Sequence, residues 1–147
     1  MLNCAAADVP SPYAKYKICY LNYSWPQRRA FDLDPALVDE VYSFLEGAFE
    51  SHESVLIHSL NGKGRACIAV ALYFMKKYAW ALLKTLEFLS AKKPSLELSP
   101  SMIKKFLGLE KKLVLSEHRL AKPDWKTGAL NGDELTIVNT YLNSKVA

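Results

Sequence analysis

The residues with the clearest chemical potential lie in the stretch 56–66, which is written L-I-H-S-L-N-G-K-G-R-A. An apolar segment leads into a loop with Gly62 and Gly64, and the loop runs into a helical pattern that begins near Arg65. Glycines let a backbone come close to an anion, and the N–H groups and dipole of a helix N-terminus attract negative charge. Because the arginine adds a planar fork that matches two phosphate oxygens, the stretch predicts a cradle for an oxyanion.

One other interpretation also applies to the same loop, and a second is excluded. A tight strand-to-helix turn that carries a surface arginine also explains two glycines and Arg65. A nucleotide-binding P-loop is excluded, because the pattern G-x-x-x-x-G-K-[ST] is absent from the chain. The glycines and the arginine alone therefore do not decide between a turn and an anion site.

The sequence around this loop resembles the signature of a known protein family. Residues 55–66 are similar to the V-L-V-H-C-x-x-G-x-x-R-[ST] loop of cysteine-dependent protein phosphatases, above all those of the dual-specificity branch. The matching positions are Val55, Leu56, His58, Gly62 and Arg65. Further segments resemble the family in the correct order along the chain, namely residues 20–27, 69–75 and 92–110. The resemblance thus covers the chain from Lys15 to Leu113.

The family's mechanism needs reactive groups that this chain lacks. A cysteine thiolate attacks phosphorus in the family, and Ser59 stands at that position here. An aspartic acid protonates the leaving oxygen, and Gln27 stands in its place after Trp25. A hydroxyl residue follows the family's arginine, whereas Ala66 follows it here. His58 is kept, but the matching histidine of the family tunes the thiolate and does not act as a base.

The loss of three reactive groups together predicts a catalytically inactive phosphatase-like protein, or pseudophosphatase. Such a protein would serve as a binding module or as a structural scaffold within a larger assembly. We expect no catalytic residue, and Ser59, Gln27 and His58 are vestigial positions. The loop is predicted to retain phosphate binding through Ser59, Leu60, Asn61, Gly62, Lys63, Gly64 and Arg65. The alternative is that the arginine only braces the loop.

Two enzymatic hypotheses stay open beside the inactive one. An active dual-specificity phosphatase captured as a Cys-to-Ser substrate trap explains Ser59 but neither Gln27 nor Ala66. In that case the encoding gene reads cysteine at position 59. A weak serine-dependent phosphatase needs a base to activate the hydroxyl, and the sequence shows none. That enzyme would hydrolyse a small aryl phosphate.

Periodicity and capping signals predict the elements that position the loop. Asp34 is a predicted N-cap and Pro35 the first residue of the helix, and Ser99 and Pro100 repeat this pattern. Short apolar or β-branched runs predict strands. The predicted elements are strands over 17–23 and 54–58 and helices from Pro35, over 67–75, over about 80–91 and from Pro100.

The resemblance implies an α/β fold of the phosphatase type, with a mainly parallel central sheet flanked by helices. Family domains carry further strands before the segment at 17–23, so part of the usual N-terminal strands is expected to be missing. The expected division of the chain is a flexible lead-in over 1–14, a dual-specificity-phosphatase-like domain over 15–115 and a C-terminal extension over 116–147.

An incomplete sheet leaves an open edge, and open edges pair with other strands. The predicted partner is therefore another protein, which either is phosphorylated or supplies the missing edge of the sheet. The lysine pairs are typical of solvated helix faces, and the alternative is a basic surface for an acidic or cytoskeletal partner. These pairs lie at 76–77, 92–93, 104–105 and 111–112.

Composition excludes several other functions. With 147 residues and a net charge of +4, the chain suits one domain and lacks the strong basic character of a nucleic-acid-binding protein. Cys4, Cys19 and Cys67 form no zinc-binding pattern, so neither a metal nor a cofactor is expected. The start resembles no signal peptide, and the longest apolar run, 67–75, is too short for a membrane span. The expected location is the cytoplasm, with or without attachment to the cytoskeleton.

Overall fold

The computed structural model describes residues 1–116, which fold as a small sheet and four α-helices. The strands are β1 (Leu2–Asn3), β2 (Leu21–Asn22) and β3 (Ile57–His58). The helices are a 3₁₀ helix (Pro12–Tyr16) and α1 (Pro35–Glu50), α2 (Arg65–Lys77), α3 (Leu82–Lys92) and α4 (Pro100–Ser116). Apart from Ser116, the predicted extension over 116–147 lies outside the described residues.

The three strands form one parallel sheet in the order β2-β1-β3. Leu2 lies beside Leu21 on one side and Ile57 on the other. Parallel strands require crossover connections, and α1 supplies the crossover between β2 and β3. The prediction of an α/β, phosphatase-type fold that lacks some strands is therefore confirmed for the described part of the chain.

The central strand comes from residues that the sequence places in a lead-in over 1–14. Leu2, Asn3, Cys4 and Ala5 are all fully buried. The Asn3 side chain donates to the Val9 carbonyl at 2.8 Å and accepts from the Ala5 N–H at 3.0 Å. The structure differs here from a flexible lead-in because a two-residue strand that is buried on both faces shows no alternation for a sequence pattern to detect. This strand also fixes the turn that follows it, which bears on the site below.

Both predicted helix starts are confirmed. The Asp34 carboxylate accepts the Leu37 N–H at 2.8 Å, with Pro35 in the first turn of α1. Ser99 accepts the Met102 N–H at 3.2 Å at the start of α4. Local capping chemistry therefore sets where both helices begin, whatever their tertiary contacts.

The core lies where α2 packs against α1, α3 and β3, and α4 closes it by packing against α1 and α3. The apolar run at 67–75 forms the buried helix that the sequence predicts, although α2 begins two residues earlier, at Arg65. Leu72 of this helix is fully buried, as are Val38 of α1 and Phe106 of α4. Within residues 1–116 no helix combines the length and the apolar character that crossing a membrane requires.

Candidate functional site

The loop over 59–64 joins the end of β3 to the start of α2. Gly62 has a φ of +69°, a left-handed conformation that glycine adopts without strain. Gly64 stands at the N-cap of α2, and no side chain caps the helix there. The first N–H groups of an α-helix have no acceptor within the helix, so this end of α2 presents donors to the loop. The structure thus provides the strand–loop–helix arrangement on which the predicted cradle depends.

Contacts within the loop hold its backbone. The Ser59 hydroxyl oxygen accepts the Gly62 N–H at 3.1 Å, and the Asn61 side-chain oxygen accepts the Lys63 N–H at 3.1 Å. The Cys67 thiol donates to the Gly62 carbonyl at 3.4 Å. Ser59 Oγ therefore accepts a hydrogen bond from the loop backbone, in the way that an anionic atom at this position would.

The segment after α3 forms one wall of the loop. The Glu97 N–H donates to the Lys63 carbonyl at 2.9 Å, and the two side chains form an ion pair at 3.3 Å. A Cβ atom added at Gly64 would lie 3.0 Å from the Glu97 carbonyl oxygen. Since that oxygen belongs to the backbone, the close approach favours glycine at position 64.

We expect Gly64→Ala to lower the free energy of unfolding by about 1–3 kcal/mol, because the added methyl group displaces the Glu97 backbone. Gly47→Ala is the matched control, since a Cβ there meets nothing within 4 Å and alanine stabilises a helix interior by roughly 0.5–1 kcal/mol. Urea denaturation of the parent and both variants measures the difference. Equal stability of the two variants would show that the contact with Glu97 places no constraint on the loop.

Arg65 is 5% exposed and is anchored through one nitrogen. Its Nη1 donates to the Asp8 carboxylate at 2.6 Å and to the Trp25 carbonyl at 2.9 Å. These two bonds use both hydrogens of Nη1. Within residues 1–116, neither Nε nor Nη2 donates a hydrogen bond to the protein. Arg65 therefore links the start of α2 to the Asp8 turn and to the Trp25 carbonyl, while the edge with Nε and Nη2 donates to none of the described residues.

Hydrogen bonds to β1 and to the residues that follow it hold the turn that carries Asp8. The N–H groups of Asp8 and Val9 both donate to the Ala5 carbonyl at 2.8 Å. The Val9 carbonyl in turn accepts from the buried Asn3 side chain. Because β1 holds this turn, the carboxylate meets Arg65 across 57 positions of sequence.

The hydrogen bond from Arg65 to the Trp25 carbonyl holds the segment before Gln27 beside residues 59–65, which we call the signature loop. The Trp25 ring is stacked between Tyr23 and Phe31, each with ring centroids 4.8 Å away. The Trp25 side chain is therefore part of the hydrophobic core. Gln27 is exposed in the bend that follows. A carboxamide at this position has no acidic proton to give a leaving group.

The two buried cysteines near the loop lack the lowered pKa of a nucleophilic cysteine. Burial raises the pKa of the Cys4 thiol to about 12, although the nearby Arg65 acts in the opposite direction. Burial also raises the pKa of the Cys67 thiol, against the effect of Lys93. Only a thiolate is a strong nucleophile, and both of these thiols stay protonated near neutral pH. Within residues 1–116, no group of three or more His, Cys, Asp or Glu residues is arranged to hold a metal ion.

The structure places the predicted positions 59–65 in the loop and at the first residue of α2, and the bond from Arg65 to the Trp25 carbonyl joins them to the segment before Gln27. It also adds residues that sequence reasoning missed. His58 lies in β3, where its carbonyl accepts the Cys4 N–H at 2.9 Å. The missed residues are Asp8 and the Trp25 carbonyl, which anchor Arg65, and Lys93, which lies beside Gly62. No spacing in the sequence indicates these contacts, because each joins segments far apart along the chain.

Comparison with known proteins supports the family that the loop indicates, although no protein-family model matches the chain. Dual specificity protein phosphatase 1 of Arabidopsis thaliana is 32% identical over 79 residues, which cover 54% of this chain and 40% of that protein. Dual specificity protein phosphatase 1B of the same plant is 31% identical over 75 residues, covering 51% of this chain and 45% of the relative.

A third relative in the same plant, the protein-tyrosine-phosphatase IBR5, is 28% identical over 79 residues, covering 54% of this chain and 31% of that protein. The chain thus spans less than half the length of each of these relatives. The resemblance on which the loop was interpreted is confirmed. Over about half of its length, this chain is similar in sequence to dual-specificity protein phosphatases.

Proposed function

We propose that this chain is a pseudophosphatase that binds phosphorylated side chains of a partner protein and does not hydrolyse them. The proposal joins two properties of the same loop, a nucleophile that is missing and an anion site that is kept. The relatives are named as phosphatases, and their chemistry acts on phosphate esters. A chain that binds the phosphate ester without cleaving it would act as a binding or scaffold protein.

The observation that carries the proposal is the geometry of Arg65. Its guanidinium group is held by Asp8 and the Trp25 carbonyl through Nη1, while Nε and Nη2 donate to none of the described residues. A fork of this kind suits two oxygens of a phosphate monoester. Because the anchors fix the group before binding, little conformational entropy is lost when an anion arrives.

The absence of turnover rests on Ser59 and Gln27. A serine hydroxyl is a weak nucleophile unless a base removes its proton. Ser59 Oγ accepts a hydrogen bond from the Gly62 N–H, which is a donor and not a base. Ser59 is uncharged, so it repels a phosphate dianion less than a thiolate would. The same substitution therefore removes cleavage and favours retention of the ligand.

The experiment is a calorimetric titration of the chain with a phosphotyrosine peptide and with the same peptide unphosphorylated. We expect saturable binding of the phosphorylated peptide alone. Equal affinity for both peptides, or no binding of either, contradicts the proposal. Phosphoserine and phosphothreonine versions of the peptide then define which side chain the site accepts.

A further inference from the structure

Lys93 is held beside the signature loop by the end of α3. Its N–H donates to the Leu89 carbonyl at 2.7 Å, and its carbonyl accepts the Leu96 N–H at 3.0 Å. The Lys93 Nζ lies 3.9 Å from the position that a Cβ atom would occupy at Gly62. Two backbone hydrogen bonds thus fix the stem of a lysine whose ammonium group reaches the middle of the loop.

Charge around the loop is balanced except at this lysine. Arg65 is paired with Asp8 at 2.6 Å, and Lys63 is paired with Glu97 at 3.3 Å. The Lys93 ammonium group has no ion pair or hydrogen bond to any of residues 1–116. Of these three cationic groups, Lys93 therefore carries the unbalanced charge. A half-buried ammonium group without a counter-ion is a favourable partner for an incoming anion.

We infer that Lys93 is a second anion-binding residue of the signature loop, and that the site prefers a dianionic phosphate monoester to a monoanion. The inference rests on the proposed function and adds to it a residue outside the seven loop positions. Arg65 gives directional hydrogen bonds from its free edge, whereas Lys93 gives a compact point charge at the side of the loop. The electrostatic attraction of these two groups is larger for a ligand with two negative charges than for a ligand with one.

The test compares Lys93→Gln with Lys92→Gln, a neighbouring lysine that lies 5.8 Å from the centre of the Phe88 ring. Phenyl phosphate is the probe, and phenyl sulfate is the monoanion of similar shape. We expect Lys93→Gln to raise the Kd for phenyl phosphate about tenfold, the effect of one charge-assisted hydrogen bond. The preference for phosphate over sulfate should shrink by about threefold, because the Coulomb energy of Lys93 with a monoanion is about half that with a dianion. Lys92→Gln should stay within about twofold of the parent, because it changes only the distant field.

The outcomes separate this inference from the proposed function. If Lys93→Gln binds phenyl phosphate as tightly as the parent while Arg65→Ala does not bind, the proposed function stands and the role of Lys93 is wrong. If both lysine variants lose affinity equally, the effect is one of net charge, and the inference is again wrong. If the parent shows no saturable binding, both fail. Far-UV circular dichroism of each variant confirms that binding is compared between folded chains.

Discussion

Replacing Arg65 with alanine is expected to remove phosphate-ester binding and to destabilise the fold in a single step. The two free nitrogens of the guanidinium group would each give a hydrogen bond to an anionic oxygen. Hydrogen bonds of this type are worth roughly 1.5–3 kcal/mol each. Their loss corresponds to an increase in Kd of at least about a hundredfold. Titration with a phosphotyrosine peptide measures it.

The same substitution removes the donor that links Asp8 to the Trp25 carbonyl. We expect a loss of unfolding free energy on the order of 2 kcal/mol, reduced from the value for a buried pair because Asp8 is 45% exposed. Arg65→Lys separates the two effects, since lysine keeps the charge but not the planar fork. It should bind with intermediate affinity. Binding by Arg65→Ala that equals the parent's, measured below the unfolding transition, would contradict the anion site.

Replacing Ser59 with cysteine is expected to create hydrolysis of a small aryl phosphate, and we expect none from the parent. The Gly62 N–H that now donates to Ser59 Oγ at 3.1 Å would donate to the sulfur, and the N-terminus of α2 adds positive potential. Both effects favour the thiolate. The thiol at position 59 should therefore titrate below the ordinary cysteine pKa of about 8.5, which the pH dependence of its alkylation measures.

Gln27 limits the substrates of that variant. Without an acid at this position, only a good leaving group such as an aryl oxide departs readily. Adding Gln27→Asp to Ser59→Cys should raise hydrolysis of alkyl phosphates by about 10²–10⁴-fold, the usual contribution of a general acid. A Ser59→Cys variant that binds phenyl phosphate but leaves the substrate intact would show that more than these groups has been lost.

Local signals in the sequence specify much of the scaffold. Asp34 with Pro35 and Ser99 with Pro100 determine two helix starts, because a cap depends on residues three positions apart. The long apolar run determines α2 in the same way. The strands were placed at the correct segments but predicted too long, since only 21–22 and 57–58 form ladders within 17–23 and 54–58.

The anchoring of the site depends on contacts that no local pattern encodes. Asp8 reads as one acidic residue in a polar turn, and only the folding of β1 into the centre of the sheet brings it to Arg65. Lys93 reads as half of a surface lysine pair, and only the packing of the turn after α3 against the loop brings it to Gly62. The family resemblance indicated the seven loop positions, and the tertiary structure adds the groups that hold and charge them.

The central claim is that the loop embraces a phosphate ester while residue 59 leaves the ester intact. The most direct test incubates the unaltered chain with phenyl phosphate. Calorimetry measures binding, and a parallel assay measures released inorganic phosphate. We predict saturation without phosphate release, in the parent and in Ser59→Ala alike. Phosphate release by the parent that disappears in Ser59→Ala would contradict the claim, because the serine would then be a working nucleophile.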